Sequence, residues 1–383
     1  MHSMPKPPSC AAALCSYETY RDTSFFSSLD GLRCLSILAV IWYHTGASVE
    51  GLALAQKGYL GVDLFFAISG FLITTLLLRE QEQKGRISLR AFYMRRTLRI
   101  FPLYYAVILL YVIVTWALER STSVGQQFFA NLPYFLTYTS NWFVHLDGRV
   151  IFYIAWSLAT EEQFYVVWPT VEKMLRGWRA AGLIVIFLIA RELLETAILS
   201  GHLPDRPLWT VIILSIHPAI LGGVLMAHVL HDQRSFELAR NLLGSRWMAP
   251  LILAVLLAGL EVGFPRWTTW TLMVLLVGSV VIRESNGLSP LLKWRPVAHI
   301  GQVSYGMYLM HMLVFHAVKR LFDPLIGQEH AWLWFPATVV ATTFVATISF
   351  RYYESRFLQL KKRFSRLQML HPVGANPVSS PHV

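Results

Sequence analysis

GYLGVDLFFAISGFLITTLLL, residues 58–78, runs from Gly58 to Leu78 with one charged side chain, Asp63. That is the length an α-helix needs to cross a hydrocarbon core, about 20 residues at ~1.5 Å each. The apolar residues are continuous rather than alternating, which excludes the strand of a membrane barrel. The rest of the chain repeats the pattern. Apolar windows fall at about 30–48, 59–78, 98–117, 151–172, 181–199, 208–230, 247–263, 267–283, 298–318 and 331–352. Hydrophobic residues make up 55% of the chain and charged residues only 14%, which argues against a soluble globule. The expected fold is an all-α polytopic bundle of about ten transmembrane helices.

A net charge of +11 raises the possibility of nucleic acid, so the placement of the 33 Lys and Arg residues decides. With both termini cytoplasmic, 24 of them fall in inner segments, seven in outer segments, and two, Arg33 and Arg191, within spans. This is the positive-inside bias of a membrane protein, and no nucleic-acid partner is expected. Cys10, Cys15 and Cys34 form neither a disulfide framework nor a metal spacing. Residues 1–25 are expected to be a disordered cytoplasmic tail, residues 26–357 the membrane domain, and 358–383 a second cytoplasmic tail. The first span serves as an uncleaved insertion signal. The outer loop at 118–150 contains NLPYFLTYTSNWFVHL, whose Tyr and Trp suit the interface or a segment folded back over the bundle; an extra or re-entrant helix there stays open.

Ionisable groups inside spans cost at least a few kcal/mol and mark pathways or sites. In LDGLRCLSILAVIWYH, residues 29–44, Asp30 and Arg33 lie at the inner end and His44 toward the outer half. Helical geometry leaves Arg33 and His44 about 20° apart in azimuth and ~16 Å apart along the axis. His44 is the natural general base, since imidazole accepts a proton at neutral pH. Asp63 falls at comparable depth and is expected to orient that imidazole, or else to satisfy a helix dipole. WSLATEEQFYVVWP, residues 156–169, carries Ser157, Glu161, Glu162 and Tyr165. Adjacent glutamates project ~100° apart, so one is expected to face the bundle, and Glu161 shares a face with Ser157 and Tyr165. VSYGMYLMH, residues 303–311, adds Tyr305 and an outer-half His311. No HxxxH or HExxH spacing supports zinc, and no metal is expected.

FYMRRTLRIFPLYY, residues 92–105, places Arg95, Arg96 and Arg99 within one helical face. Guanidinium forks bind phosphate bidentately, so the face suits a polyphosphate ligand at the cytoplasmic side. Orientation by charge alone accounts equally well for the cluster. Pro102 is expected to disturb the face just beyond it.

These five stretches, with the closing YYESRF at 352–357, resemble the motifs of the acyltransferase family 3 integral membrane proteins, in the family's order and over nearly the whole chain. The resemblance implies transfer of an acyl group, usually acetyl from acetyl-CoA, to a hydroxyl of an envelope or secreted carbohydrate or glycolipid, at the cell (inner) membrane. It implies that His44 is the essential first-span histidine, Arg33 the first-span arginine, Arg96 and Arg99 the RxxR pair, and Glu161 the glutamate of the fourth span. On this reading Arg33, Arg95, Arg96 and Arg99 hold the acyl-CoA, while His44, assisted by Asp63 or Glu161, deprotonates the acceptor. Ser157, Tyr165 and Tyr305 are the candidate oxyanion donors. Direct transfer and an acyl-histidine relay both stay open. Two departures stand out: Arg356 replaces the family's usual proline, and no basic residue closely precedes DGLR. Some relatives carry a fused esterase-like domain, and the stretch after Phe357 is too short to be one. A proton-coupled transporter or exporter is the alternative function, in which the same histidines and carboxylates form a proton relay.

Overall fold

The computed structural model describes residues 16–46, 52–175, 177–202, 207–326 and 332–364. Cys10, Cys15 and most of both expected tails lie outside these residues. Every regular element among the described residues is helical: α1 (Tyr17–Asp22), α2 (Ser27–His44), a 3-10 segment (Ala53–Leu60), α3 (Gly61–Lys84), α4 (Leu89–Leu118), α5 (Ser123–Leu136), α6 (Ser140–Phe143), α7 (Ala155–Leu175) and α8 (Trp178–Leu199). They continue with α9 (Leu208–Ser215), α10 (Pro218–His231), α11 (Gln233–Leu243), α12 (Met248–Val262), α13 (Arg266–Ile282), α14 (Ser289–Leu292), α15 (Arg295–Ile326), α16 (Trp334–Ser349) and, after a π turn at Phe350–Glu354, α17 (Ser355–Phe364).

Local chemistry sets the boundaries. The Ser88 hydroxyl accepts from the Ala91 amide to start α4, and Thr122 does the same for Gly125 at α5. Gly85, at φ +67°, ends α3 in the left-handed conformation that glycine adopts without strain. Between α9 and α10, Ile216 and His217 are extended ahead of Pro218, as a residue before proline prefers, and the two helices meet at 44°.

Each apolar window falls on a helix, the sixth broken at Ile216–His217. By length and composition alone, two segments among the described residues qualify as membrane spans, Ala53–Lys84 and Leu89–Leu118. Two bent pairs, α9 with α10 and α11 with α12, raise this to four. The others include α2, α7 and α8, which carry Asp30 and Arg33, Glu161 and Glu162, and Arg191 with Glu192 and Glu195. Their polar side chains dilute the hydropathy that would otherwise mark them.

Two expectations are corrected, one in the first tail and one at Pro102. Residues 17–22 of the supposed tail are a helix whose Tyr17 and Tyr20 rings pack on Phe236 at 5.5 and 5.2 Å, and Arg79 donates to the Thr23 and Tyr20 carbonyls. The second tail is helical to Phe364. The loop at 118–150 contains α5 and α6, and folds back on the bundle: Tyr138 stacks on Tyr104 at 4.3 Å, and Gln163 donates to the Tyr138 carbonyl. Pro102 does not interrupt α4.

The core is built on close backbone approach. A Cβ at Gly70 would lie 2.0 Å from the Ile220 carbonyl oxygen, and one at Gly223 2.2 Å from that of Ala67, so α3 and α10 touch along a two-sided glycine seam. A Cβ at Gly301 of α15 would likewise lie 1.8 Å from the Asp30 carbonyl oxygen. Gly70→Val is expected to lower the thermal midpoint of the detergent-solubilised protein, since overpacking costs about 1–3 kcal/mol or more; fluorescence-detected size exclusion after heating reads the shift.

Candidate active site

A cavity of about 120 Å³ lies among α2, α3, α4, α7 and α15, roughly tenfold the space one water needs. Three guanidinium groups line it, Arg33 from α2 and Arg96 and Arg99 from α4. Facing them are Ser157, Glu161 and Tyr165 of α7 and Tyr305 of α15. Seven residues expected from the sequence therefore converge on one space.

Most of them are held by specific contacts. Arg33 donates to the Asp30 carboxylate at 2.8 Å, so Asp30 supports the site without lining the cavity. The Arg96 guanidinium lies 4.5 Å from the centre of the Tyr165 ring, and the Tyr165 hydroxyl donates to Glu161. Tyr165 is thus fixed at its face by a cation and at its hydroxyl by a carboxylate. Tyr305 donates to the Ile100 carbonyl at 2.9 Å, tying α15 to the turn of α4 that follows Arg99.

The sequence expectation fails at four positions. Arg95 does not line the cavity; it pairs with buried Glu80 at 3.0 Å. Glu162 lines the cavity beside Glu161, because the space curves around α7 widely enough to meet side chains ~100° apart. Tyr308, overlooked from the sequence, also lines it, with its hydroxyl 2.6 Å from that of Ser157. The signal was present, since Tyr308 lies one turn from Tyr305 on the same helix. Asp63 does not orient His44: its Oδ2 accepts from Trp270 Nε1 at 2.8 Å and its Oδ1 faces His217 Nε2 at 3.4 Å. The His217 contact ties the break between α9 and α10 to α3, and the Trp270 contact ties α13 to it.

His44 stands outside the cavity lining. Its Nδ1 is 2.7 Å from Nε2 of His311, whose own Nδ1 is 2.6 Å from the Tyr308 carbonyl oxygen. The Tyr43 and Tyr153 rings meet His44 edge-on at 5.2 and 5.4 Å. Tyr308 belongs to both groups, its hydroxyl at the cavity and its carbonyl under His311. Among the described residues no three His, Cys, Asp or Glu side chains converge as a metal site.

A bundle of apolar helices whose interior gathers arginines, hydroxyls and a histidine pair has the groups that acyl transfer needs. Residues 26–351 match the family profile described as an acyltransferase domain, and the chain belongs to the acyltransferase family 3 proteins. It is 27% identical over 356 residues to the peptidoglycan O-acetyltransferase OatA of Listeria monocytogenes, an alignment covering 86% of this chain and 55% of that protein. The putative peptidoglycan O-acetyltransferase YrhL of Bacillus subtilis is 25% identical over 385 residues, with 93% and 59% covered. A putative O-acetyltransferase of Staphylococcus aureus is 26% identical over 381 residues, with 89% and 58% covered. The chain thus spans a little over half the length of these relatives. No solved structure matches it.

Asp63→Leu removes the acceptor for two part-buried donors and is expected to destabilise the protein by about 1–3 kcal/mol, read as a lower thermal midpoint in detergent. Acyl transfer per correctly inserted molecule should fall far less than in His44→Ala.

Proposed function

We propose that the protein moves an acyl group, in the first instance acetyl from acetyl-CoA, onto a hydroxyl of an envelope carbohydrate. The observation that carries this reading is the convergence of Arg33, Arg96 and Arg99 on one interior cavity that also presents paired hydroxyls. Guanidinium forks match phosphate oxygens bidentately, so the three arginines suit the phosphates of a CoA ester. The acyl end of the donor then lies toward Ser157 and Tyr308, on the side of His311 and His44.

His44 takes the proton of the acceptor hydroxyl as its oxygen attacks the thioester carbonyl. The new C–O bond forms and the carbonyl oxygen gains negative charge, which the Ser157 and Tyr308 hydroxyls are placed to stabilise. The C–S bond then breaks, and the departing CoA thiolate receives the proton that His44 carries. Peptidoglycan is the acceptor named for the first relatives, and it is the first acceptor to test here.

The ten-span arrangement with both termini in the cytoplasm belongs to the same proposal, as does location in the inner membrane. Contacts between distant segments support it, because each joins segments assigned to one side. Ser27 donates to Glu284 at one end; at the other, Arg149 pairs with Glu119, and the Ala53 and Leu54 amides donate to Glu261. The family match and the O-acetyltransferase relatives favour catalysis over transport.

Transfer of labelled acetyl from acetyl-CoA to peptidoglycan in membrane vesicles tests the reading. His44→Ala should lose about 10²–10⁴-fold of the rate, and equal transfer by that variant would remove His44 as the base. Lys at both Arg96 and Arg99 keeps the charge that orients the chain but loses the forks. The acetyl-CoA KM should rise at least about tenfold with insertion unchanged.

A further inference from the structure

We propose that His311 is a positioning residue: it fixes the tautomer of His44 and so decides which ring nitrogen acts as the base. The inference rests on the reading of His44 as base given above.

A backbone carbonyl only accepts, so the nitrogen 2.6 Å from the Tyr308 oxygen, Nδ1 of His311, carries the hydrogen. Neutral imidazole has one N–H, which leaves Nε2 of His311 as a lone pair. That lone pair faces Nδ1 of His44 at 2.7 Å. Two lone pairs at this distance repel, so His44 Nδ1 is the donor. By the same count, Nε2 of His44 is the unprotonated nitrogen, and it carries no hydrogen bond among the described residues. One carbonyl therefore sets both tautomers in sequence.

The geometry leaves little freedom to escape this order. His311 is 1% exposed, the two rings lie within 17° of parallel, and Tyr43 and Tyr153 flank the His44 ring. Among the described residues neither histidine has a carboxylate within ion-pair distance, so a doubly protonated His311 would be a buried cation with no counter-ion. In serine-protease triads a carboxylate performs this task, and the wrong tautomer there loses about 10⁴ in rate. Here a neutral ring does it, which keeps a negative charge out of the membrane interior.

The test compares wild type, His44→Ala, His311→Leu and His311→Gln in membrane vesicles with inserted protein matched. His311→Leu should lower kcat for acetyl transfer by about 100-fold, with the acetyl-CoA KM within about twofold. Gln has an amide that donates to the Tyr308 carbonyl and an oxygen that accepts from His44, so it should recover about tenfold of that loss. Wild-type kcat in His311→Leu overturns the proposal while leaving His44 as base if His44→Ala is inactive. A Gln variant no better than Leu, with KM raised in both, also overturns it, since that is the signature of lost packing. Full activity in His44→Ala removes the underlying reading instead. Independently of variant folding, 15N-histidine NMR of the wild-type protein should show His44 protonated at Nδ1 and not at Nε2; the reverse assignment sinks the proposal.

Discussion

Arg33, Arg96 and Arg99 place three permanent cations around one cavity inside a helical bundle, and the surrounding helices meet that demand. Each such charge at membrane depth costs at least a few kcal/mol unless the surroundings compensate it. Asp30 compensates Arg33, and the Tyr165 ring meets Arg96. The glutamates of α7 follow from the same requirement, and Glu161 in turn fixes the Tyr165 hydroxyl. The close approach of α15 to α2, with Gly301 against the Asp30 carbonyl, brings Tyr305 and Tyr308 to the same space. A phosphate-bearing ligand would offer the same guanidinium groups further acceptors.

Much of this was legible in the sequence because it depends on spacing within one helix. Arg96 and Arg99, or Ser157, Glu161 and Tyr165, share a face by helical arithmetic, and the cavity uses those faces. What the sequence could not supply was pairing between helices. His44 and His311 are 267 residues apart and meet only because α15 packs on α2. Asp63 seemed suited to His44 by depth alone, yet azimuth turns it toward Trp270 and toward His217, which sits at a helix break that no periodicity announces. Arg95 failed for a simpler reason, since a buried glutamate from the preceding helix reached it first.

The same division explains why hydropathy marks so few clear spans. The helices that qualify by length and composition include α3 and α4, whose charged residues cluster near their ends or at single points. Helices α2 and α7 carry the chemistry in their interiors and read as less apolar for that reason. Polar dilution marks α2 and α7, which line the cavity, and also α8, which does not, while α3 and α4 line it and still qualify as spans.

The glycine seam between α3 and α10 has a mechanical meaning. Backbones in direct contact at Gly70 with Ile220 and at Gly223 with Ala67 interlock like teeth, and moving either helix by a turn would drive side chains into carbonyl oxygens. Helices α3 and α10, locked in this way, are held as one unit rather than sliding past each other. The cavity wall that α3 supplies therefore keeps its place relative to α10 and, through Asp63 and His217, to the break before Pro218.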